Sequence, residues 1–384
     1  MDTSRQKQAL LEVKRLSVDY EAASGTVHAV DDVSFTLQRG EVLGLAGESG
    51  SGKSTLAYAI SRLLNPPAII TGGEVLYYPP TAADAGRRRV DENLARVSRT
   101  FSAGVAGQPV DVLQLSPAQL RAFRWNDLAI VFQSAMNALN PVMNIGAQIM
   151  DVLQTHRPGM NGKERKQRAL ELLRLVGIAP DRLNSYPHEL SGGMRQRAVI
   201  AIALALSPEI IIMDEPTTAL DVVVQREILA EIMRLREQLQ FSVIFITHDL
   251  SLLLELADHI AIMYAGRIVE KATQRDLYQA ARHPYSYGLI HSFPSLHGPR
   301  RKALGIPGSP PDLRAVPPGC AFHPRCPFAF SACATTVPGL RQASAETTQQ
   351  VACHLYDARF NAEPPTIAAI AERYEARAEG SVVR

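Results

Sequence analysis

The chain has 384 residues, a formal net charge of +2, 46% hydrophobic and 20% charged residues. That length suits one large domain with a smaller companion, and so balanced a charge excludes electrostatic attraction to nucleic acid. The longest apolar run, Ala198 to Leu206, is far short of the roughly 20 residues that cross a bilayer, and the N-terminus has no apolar stretch of a signal peptide. The chain is therefore expected to be cytoplasmic, with any membrane role supplied by partners.

Residues from about 8 to 46 alternate as short strands, which predicts an antiparallel β-layer. The last of these, Glu41 to Ala46, runs into the loop Gly47, Glu48, Ser49, Gly50, Ser51, Gly52, Lys53, Ser54, Thr55 and then the helical pattern KSTLAYAISRLL. Gly47, Gly52, Lys53 and Ser54 match G-x-x-x-x-G-K-[ST] without a gap. Glycines there let successive backbone N–H groups face an anion at the positive N-terminus of the following helix. Lys53 is expected to reach the β- and γ-phosphates of a nucleoside triphosphate, and the Ser54 hydroxyl to ligate Mg²⁺.

A helical segment is expected from about 146 to 205. Within it Ser191, Gly192 and Gly193 precede an apolar helix, with Ser191 at the N-cap. This makes a second anion-binding helix start in one polypeptide. One nucleotide does not need two such sites from one chain, so the second is expected to face the γ-phosphate held by a neighbouring subunit. Taken alone, the same residues also read as a simple cap and turn.

Ile210 to Met213 read as a strand buried on both faces of a parallel sheet. Asp214 and Glu215 emerge at its C-terminal end, where such sheets bind ligands. Asp214 is placed to hold Mg²⁺. Glu215, on the other side of the pleat, can polarise an attacking water as general base, an effect of about 10²–10⁴-fold in rate. Together with the glycine loop these carboxylates predict ATP hydrolysis. His259 to Lys271 read as a hairpin turning at Ala265-Gly266.

All four cysteines lie late in the chain: Cys320, Cys326, Cys333 and Cys353. In a cytosolic chain such a cluster reads as a metal site before it reads as disulfides. The surrounding segment is rich in proline and poor in apolar periodicity, so it needs a staple. The paired C-x₂₋₄-C spacing of zinc sites is absent, whereas Cys₄ ligation of [4Fe–4S] tolerates varied spacing. Zinc remains the alternative, His323 and His354 are close enough in sequence to substitute as ligands, and unliganded buried thiols are the plainest reading.

Taken together, the chain resembles an ATP-binding-cassette (ABC) transporter ATPase of the oligopeptide and dipeptide importer subfamily, with Leu190 to Gln196, LSGGMRQ, as its signature motif. The resemblance implies an α/β P-loop cassette, with a mixed sheet core, an antiparallel β-layer and a helical subdomain, followed by a small irregular C-terminal domain. It assigns roles residue by residue. Tyr20 stacks on adenine. Gln133 senses Mg²⁺ and the attacking water. Asp221 communicates across the dimer, and His248 contacts the γ-phosphate. Ser49, Gly50 and Thr55 complete the phosphate loop, and Ser191, Gly192 and Gly193 reach the ATP of the opposite cassette. Two ATP molecules would lie between two head-to-tail cassettes, whose closing and reopening drive two permease subunits fed by an extracytoplasmic substrate-binding protein. The same resemblance implies a [4Fe–4S] cluster on the four cysteines and a peripheral place at the cytoplasmic face of the inner membrane.

The expected division is 8–275 for the ATP-binding domain, with its helical subdomain at about 134–206, then 276–357 for the cysteine domain and 358–384 as a tail. Residues 79–111 exceed what such relatives carry and are expected to form a surface insertion, with Arg87 to Arg89 as a solvated charge run. The subfamily serves peptides, nickel chelates or oligosaccharides, a choice made by permeases and binding protein rather than by this chain. A soluble cassette ATPase of DNA repair or translation is disfavoured, because neither an interrupting coiled coil nor a second cassette is present.

Overall fold

Two sheets organise the molecule, and the computed structural model describes them within residues 8–23, 25–80, 108–133, 138–218, 220–292, 305–361 and 363–380. Strands β1 (Ala9–Ala22) and β2 (Gly25–Gln38) are long, not the short alternating pieces expected from sequence. With β4 (Ala68–Tyr77) and β5 (Val110–Asp111) they form an antiparallel sheet in the order β2-β1-β4-β5. β5 falls inside the 79–111 stretch expected to form a surface insertion, so the end of that stretch is part of the sheet. Residues 81–107, including Arg87 to Arg89, lie outside the described residues.

The second sheet has eight strands in the order β11-β12-β10-β9-β3-β8-β7-β6. Its centre is parallel: β3 (Val42–Ala46), β6 (Leu128–Val131), β7 (Ile210–Asp214), β8 (Ser242–Ile246) and β9 (His259–Tyr264). Side chains of these strands alternate between two cores. Leu43, Leu45, Ile210 and Ile212 pack toward the antiparallel sheet, and Val42, Ala46, Ile211 and Met213 pack toward the helices. Continuous apolar runs are therefore required, because both faces are covered.

Helix α1 (Lys53–Ile60) follows β3, and α2 (Pro117–Asn126) precedes β6. The helical subdomain holds α3 (Ile145–His156), α4 (Gly162–Leu175) and α5 (Gly192–Ala203), whose Leu153, Leu172, Leu173 and Ile200 join one core. Each of the three starts at a side-chain cap: Asn144, Asn161 and Ser191 accept backbone N–H groups of their first turns. Helices α6 (Val222–Leu239) and α7 (Leu250–Leu256) flank β8. The β9–β10 hairpin turns at Ala265 (φ 47°) and Gly266 (φ 79°), the doubly left-handed turn that matches strand twist.

The C-terminal region is not a separate appendage. Strand β10 (Arg267–Thr273) pairs with β12 (Gln350–Val351), which pairs with β11 (Arg341–Gln342), so late residues extend the sheet of the cassette. Buried Glu270 of β10 accepts hydrogen bonds from Arg282 N (2.7 Å), His283 N (3.0 Å) and Gln349 Nε2 (2.6 Å). The hydrogen bonds thus cross the expected boundary near 275. After α8 (Gln274–Ala280), α9 (Pro284–His291) and the short α10 (Ser331–Thr335), the segment expected as a tail carries α11 (Ile367–Gly380). Ile370 of α11 is fully buried and Tyr374 packs on Tyr287 of α9.

Candidate functional site

The phosphate loop is built by close approach of backbones. At Gly52 (φ 97°) a Cβ would sit 2.1 Å from Ala29 O, and at Gly47 (φ 147°) 2.2 Å from Met263 O, so only glycine fits either place. Gly52 then starts α1, which aims its N-terminus at the loop. Ser49 and Gly50 are exposed at the tip. Lys53 is folded back: its Nζ donates to Gly47 O (2.8 Å), Glu48 O (2.9 Å) and Ser51 Oγ (3.1 Å). Burial lowers its pKa, while the charges of Glu215, Asp214 and Glu48 act to raise it. A buried ammonium held only by neutral oxygens is ready to exchange them for phosphate oxygens. Tyr20 of β1 lies beside the loop, with its hydroxyl 3.4 Å from Thr55 Oγ1.

Ser54 Oγ donates to Asp214 Oδ1 at 3.1 Å across 160 residues. Asp214 is fully buried, its pKa is raised by that burial and by the neighbouring Glu215, and its Oδ2 makes no well-formed hydrogen bond among the described residues, although the Tyr58 hydroxyl lies close to the carboxylate. An orphaned buried carboxylate oxygen beside a hydroxyl fits Mg²⁺, which takes one or two protein oxygens and completes its shell with waters and phosphates. Burial and the Asp214 charge push the nearby Tyr58 phenol up to about 12.

Glu215 gathers the remaining catalytic candidates. Gln133 Nε2 donates to Glu215 Oε2 at 3.0 Å, and His248 Nδ1 lies 3.1 Å from Glu215 Oε1. Thr218 Oγ1, which sequence reasoning did not single out, donates to Oε2 at 3.0 Å. Glu215 N donates to Ile246 O at the end of β8. This anchor holds Glu215 at φ 47°, a left-handed conformation that non-glycine residues rarely adopt. The carboxylate is turned outward where a buried strand would have continued. Only the position of Thr218, three residues after Glu215, could have drawn attention to it.

The signature residues stand apart. Ser191 caps α5 by accepting from Met194 N at 3.3 Å, and Ser191 and Gly192 are exposed. Asp221 caps α6, accepting from Val223 N and Val224 N, and is exposed too. The two caps are linked, since a Cβ on Gly193 would meet Val224 Cγ1 at 2.8 Å. Beside them Val222 and Val223 are 70% and 69% exposed. One chain therefore brings together the phosphate loop, Asp214, Glu215, Gln133 and His248, and leaves Ser191, Gly192, Gly193 and Asp221 on an open face.

Cys320, Cys326, Cys333 and Cys353 line one small cavity with His323 and His354. Phe328 N donates to Cys326 Sγ at 3.3 Å, backbone N–H groups of Phe322 and His323 point at the Cys320 sulfur, and that of Leu355 at the Cys353 sulfur. Burial pushes the Cys320 thiol up to about 11 and also raises the Cys353 thiol well above its ordinary value. Sulfurs that share a cavity and receive backbone N–H groups fit ligation by a cluster. Among the described residues no three His, Cys, Asp or Glu side chains group closely enough to hold a metal ion, so the arrangement favours neither the cluster nor the zinc alternative. His323 Nδ1 is engaged by Cys320 O and His354 Nε2 by Thr336 O.

Comparison with known proteins places this geometry. Residues 30–218 match the ABC transporter family, and residues 269–333 match the oligopeptide/dipeptide transporter C-terminal region, a span that includes Cys320, Cys326 and Cys333. The oligopeptide transport ATP-binding protein OppD of Bacillus subtilis is 41% identical over 84% of this chain and 82% of its own length. The dipeptide transport ATP-binding protein DppD of the same organism is 39% identical over 92% of this chain and 96% of its own length. Among solved structures, a dimeric ATP-binding cassette in a post-hydrolysis state with ADP and Pi is 27% identical, with a TM-score of 0.54, covering 69% of this chain and 99% of that one. The chain is an ATPase that belongs to the family of ABC transporter ATP-binding proteins with an oligopeptide/dipeptide-type C-terminal region.

Proposed function

We propose that this chain powers the uptake of peptides, as one of two cassettes on the cytoplasmic face of the inner membrane. Its partners would be two permease subunits, an identical or homologous second cassette and an extracytoplasmic substrate-binding protein. The C-terminal region and the names of the relatives support peptides over nickel chelates or oligosaccharides. A groove of about 550 Å³ beside Gln133, lined by Trp125, Phe132, Leu139, Met143, Val152 and Ile202, supports docking of a permease helix. No described helix is long and apolar enough to cross a membrane.

In this reading adenine stacks on Tyr20, and the phosphates lie on the N–H groups of the loop from Gly47 to Thr55. Lys53 Nζ exchanges Gly47 O and Glu48 O for phosphate oxygens. Ser54, Asp214 and, through water, Gln133 would hold Mg²⁺, which when bound shields the triphosphate charge. A water oxygen bonds to the γ-phosphorus as the bridge to the β-phosphate breaks, and Glu215 takes the water proton, leaving ADP and phosphate. Gln133 and Thr218 orient one carboxylate oxygen and His248 the other. The exposed N-terminus of α5 at Ser191, with Gly192, Gly193 and Asp221, would close over the ATP of the second cassette. The convergence of Gln133, Thr218 and His248 on Glu215 carries this reading.

Glu215→Gln keeps the shape and removes the base. It is expected to bind ATP normally and to lower turnover at least about a hundredfold, prolonging the closed pair. Near-normal turnover would refute the assignment.

The four cysteines we assign to a [4Fe–4S] cluster with a structural or sensing role, since ATP hydrolysis needs no electron. Protein purified without oxygen is expected to be brown, absorbing near ~400 nm, and a colourless preparation with bound zinc would contradict this.

A further inference from the structure

The residue after the first glycine of the phosphate loop is an acid, Glu48, in a loop that must receive a polyanion. Its carboxylate is gripped from the far end of the chain. Arg325 Nη1 donates to Glu48 Oε2 at 2.7 Å and Nη2 to Oε1 at 3.0 Å, a two-pronged pair across 277 residues. The backbone of Glu48 is held from the same region, its N–H donating to Tyr285 Oη of α9 at 2.9 Å.

Arg325 is itself fixed. It is 6% exposed, its Nε donates to Pro307 O (2.8 Å) and its Nη2 to Gly308 O (3.2 Å), and its guanidinium lies over the rings of Tyr264 and Phe322. It sits on the turn between Cys320 and Cys326. Only a planar guanidinium can serve two carboxylate oxygens and two carbonyls at once.

We propose that Arg325 is a positioning residue for ATP binding: it turns the Glu48 carboxylate away from the phosphates and neutralises it, so that the packing of the four-cysteine segment sets the nucleotide affinity of the loop. The inference rests on the assignment of Gly47 to Thr55 as the phosphate loop. Leaving Glu48 without Arg325 places an uncompensated negative charge beside an incoming triphosphate, whereas removing both charges leaves the loop neutral. The double variant must therefore be better than the single one.

The test is the affinity of the full chain for a fluorescent ATP analogue with Mg²⁺, with the thermal midpoint followed in parallel. Arg325→Met is expected to weaken binding at least about tenfold, the usual effect of stranding one partner of a buried ion pair. Glu48→Gln, measured alone, sets the reference affinity of a loop without its acid, and Arg325→Met with Glu48→Gln is expected to bind like that reference and to recover most of the loss. A double variant as weak as Arg325→Met, or an Arg325→Met chain that binds normally, would overturn the proposal. If Arg325→Met fails to fold, a folded double variant that binds like Glu48→Gln supports it, and a double variant that also fails to fold overturns it. Lys53→Ala separates the two levels: retained binding there would instead refute the phosphate-loop assignment.

Discussion

The nucleotide face and the cysteine region solve opposite problems. At the nucleotide face Lys53 and Asp214 are buried but other functional groups are left open: the His248 side chain is 64% exposed, Glu215 is held in a left-handed conformation, and the caps at Ser191 and Asp221 face outward. In the cysteine region the reactive groups are enclosed, with Cys333 and Cys353 buried and His283 fully covered. In the proposed reading the face is completed by a second molecule and has to stay exposed and rigid until that molecule arrives, which fits the strain found there. A region completed from within can bury its polar groups, provided each finds a partner. Substitutions at the first should therefore change function with little cost to folding, and those at the second should reveal themselves in stability.

The largest expected effect tests the first half of that contrast. Gly52→Ala drives a Cβ into Ala29 O at a residue with φ 97°, which must displace the loop from α1. Misplacing phosphate donors by an ångström costs about a hundredfold in function, so titration with labelled ATP should show binding all but lost. Near-normal affinity would mean that the loop does not have to keep this shape.

A smaller effect sharpens the second half. His283 accepts from Tyr285 N through Nδ1, and burial holds its pKa down to about 3. The folded state thus keeps His283 neutral where the unfolded chain, near 6.5, takes up a proton. Stability from this group is complete above about pH 6.5 and falls as pH is lowered toward about 3, by up to a few kcal/mol. Urea midpoints measured from pH 7 to 4.5 should decline, and His283→Asn should flatten the decline. An equal slope in the variant would place the acid sensitivity elsewhere.

How much of this was legible before the fold follows from the distance over which each pattern acts. The loop from Gly47 to Thr55, the strand ending at Asp214 and the hairpin at Ala265-Gly266 are local, with their chemistry written in adjacent residues, and all three stand where the pattern put them. Gln133, His248 and Tyr20 carried no signal of their own and were legible only through the family resemblance. Their meeting at Glu215 or Thr55 depends on strand order, which periodicity does not encode. The Glu48–Arg325 pair was not legible at all. Nothing local to an acid in a glycine loop or to an arginine in a proline-rich segment points to a partner 277 residues away. The packing of the expected tail was hidden for a related reason: α11 meets α9 through Tyr374 and Tyr287, a surface set far earlier in the chain.

The central claim is that ATP bound by one chain is completed by Ser191 of another. Ser191→Arg tests it most directly, because the substitution touches no part of the phosphate loop of its own chain. The account predicts that the isolated variant binds ATP like the parent, while turnover by the assembled transporter falls at least about tenfold through loss of the γ-phosphate contact. Unchanged turnover in the assembly, or loss of ATP binding by the folded isolated chain, would contradict it.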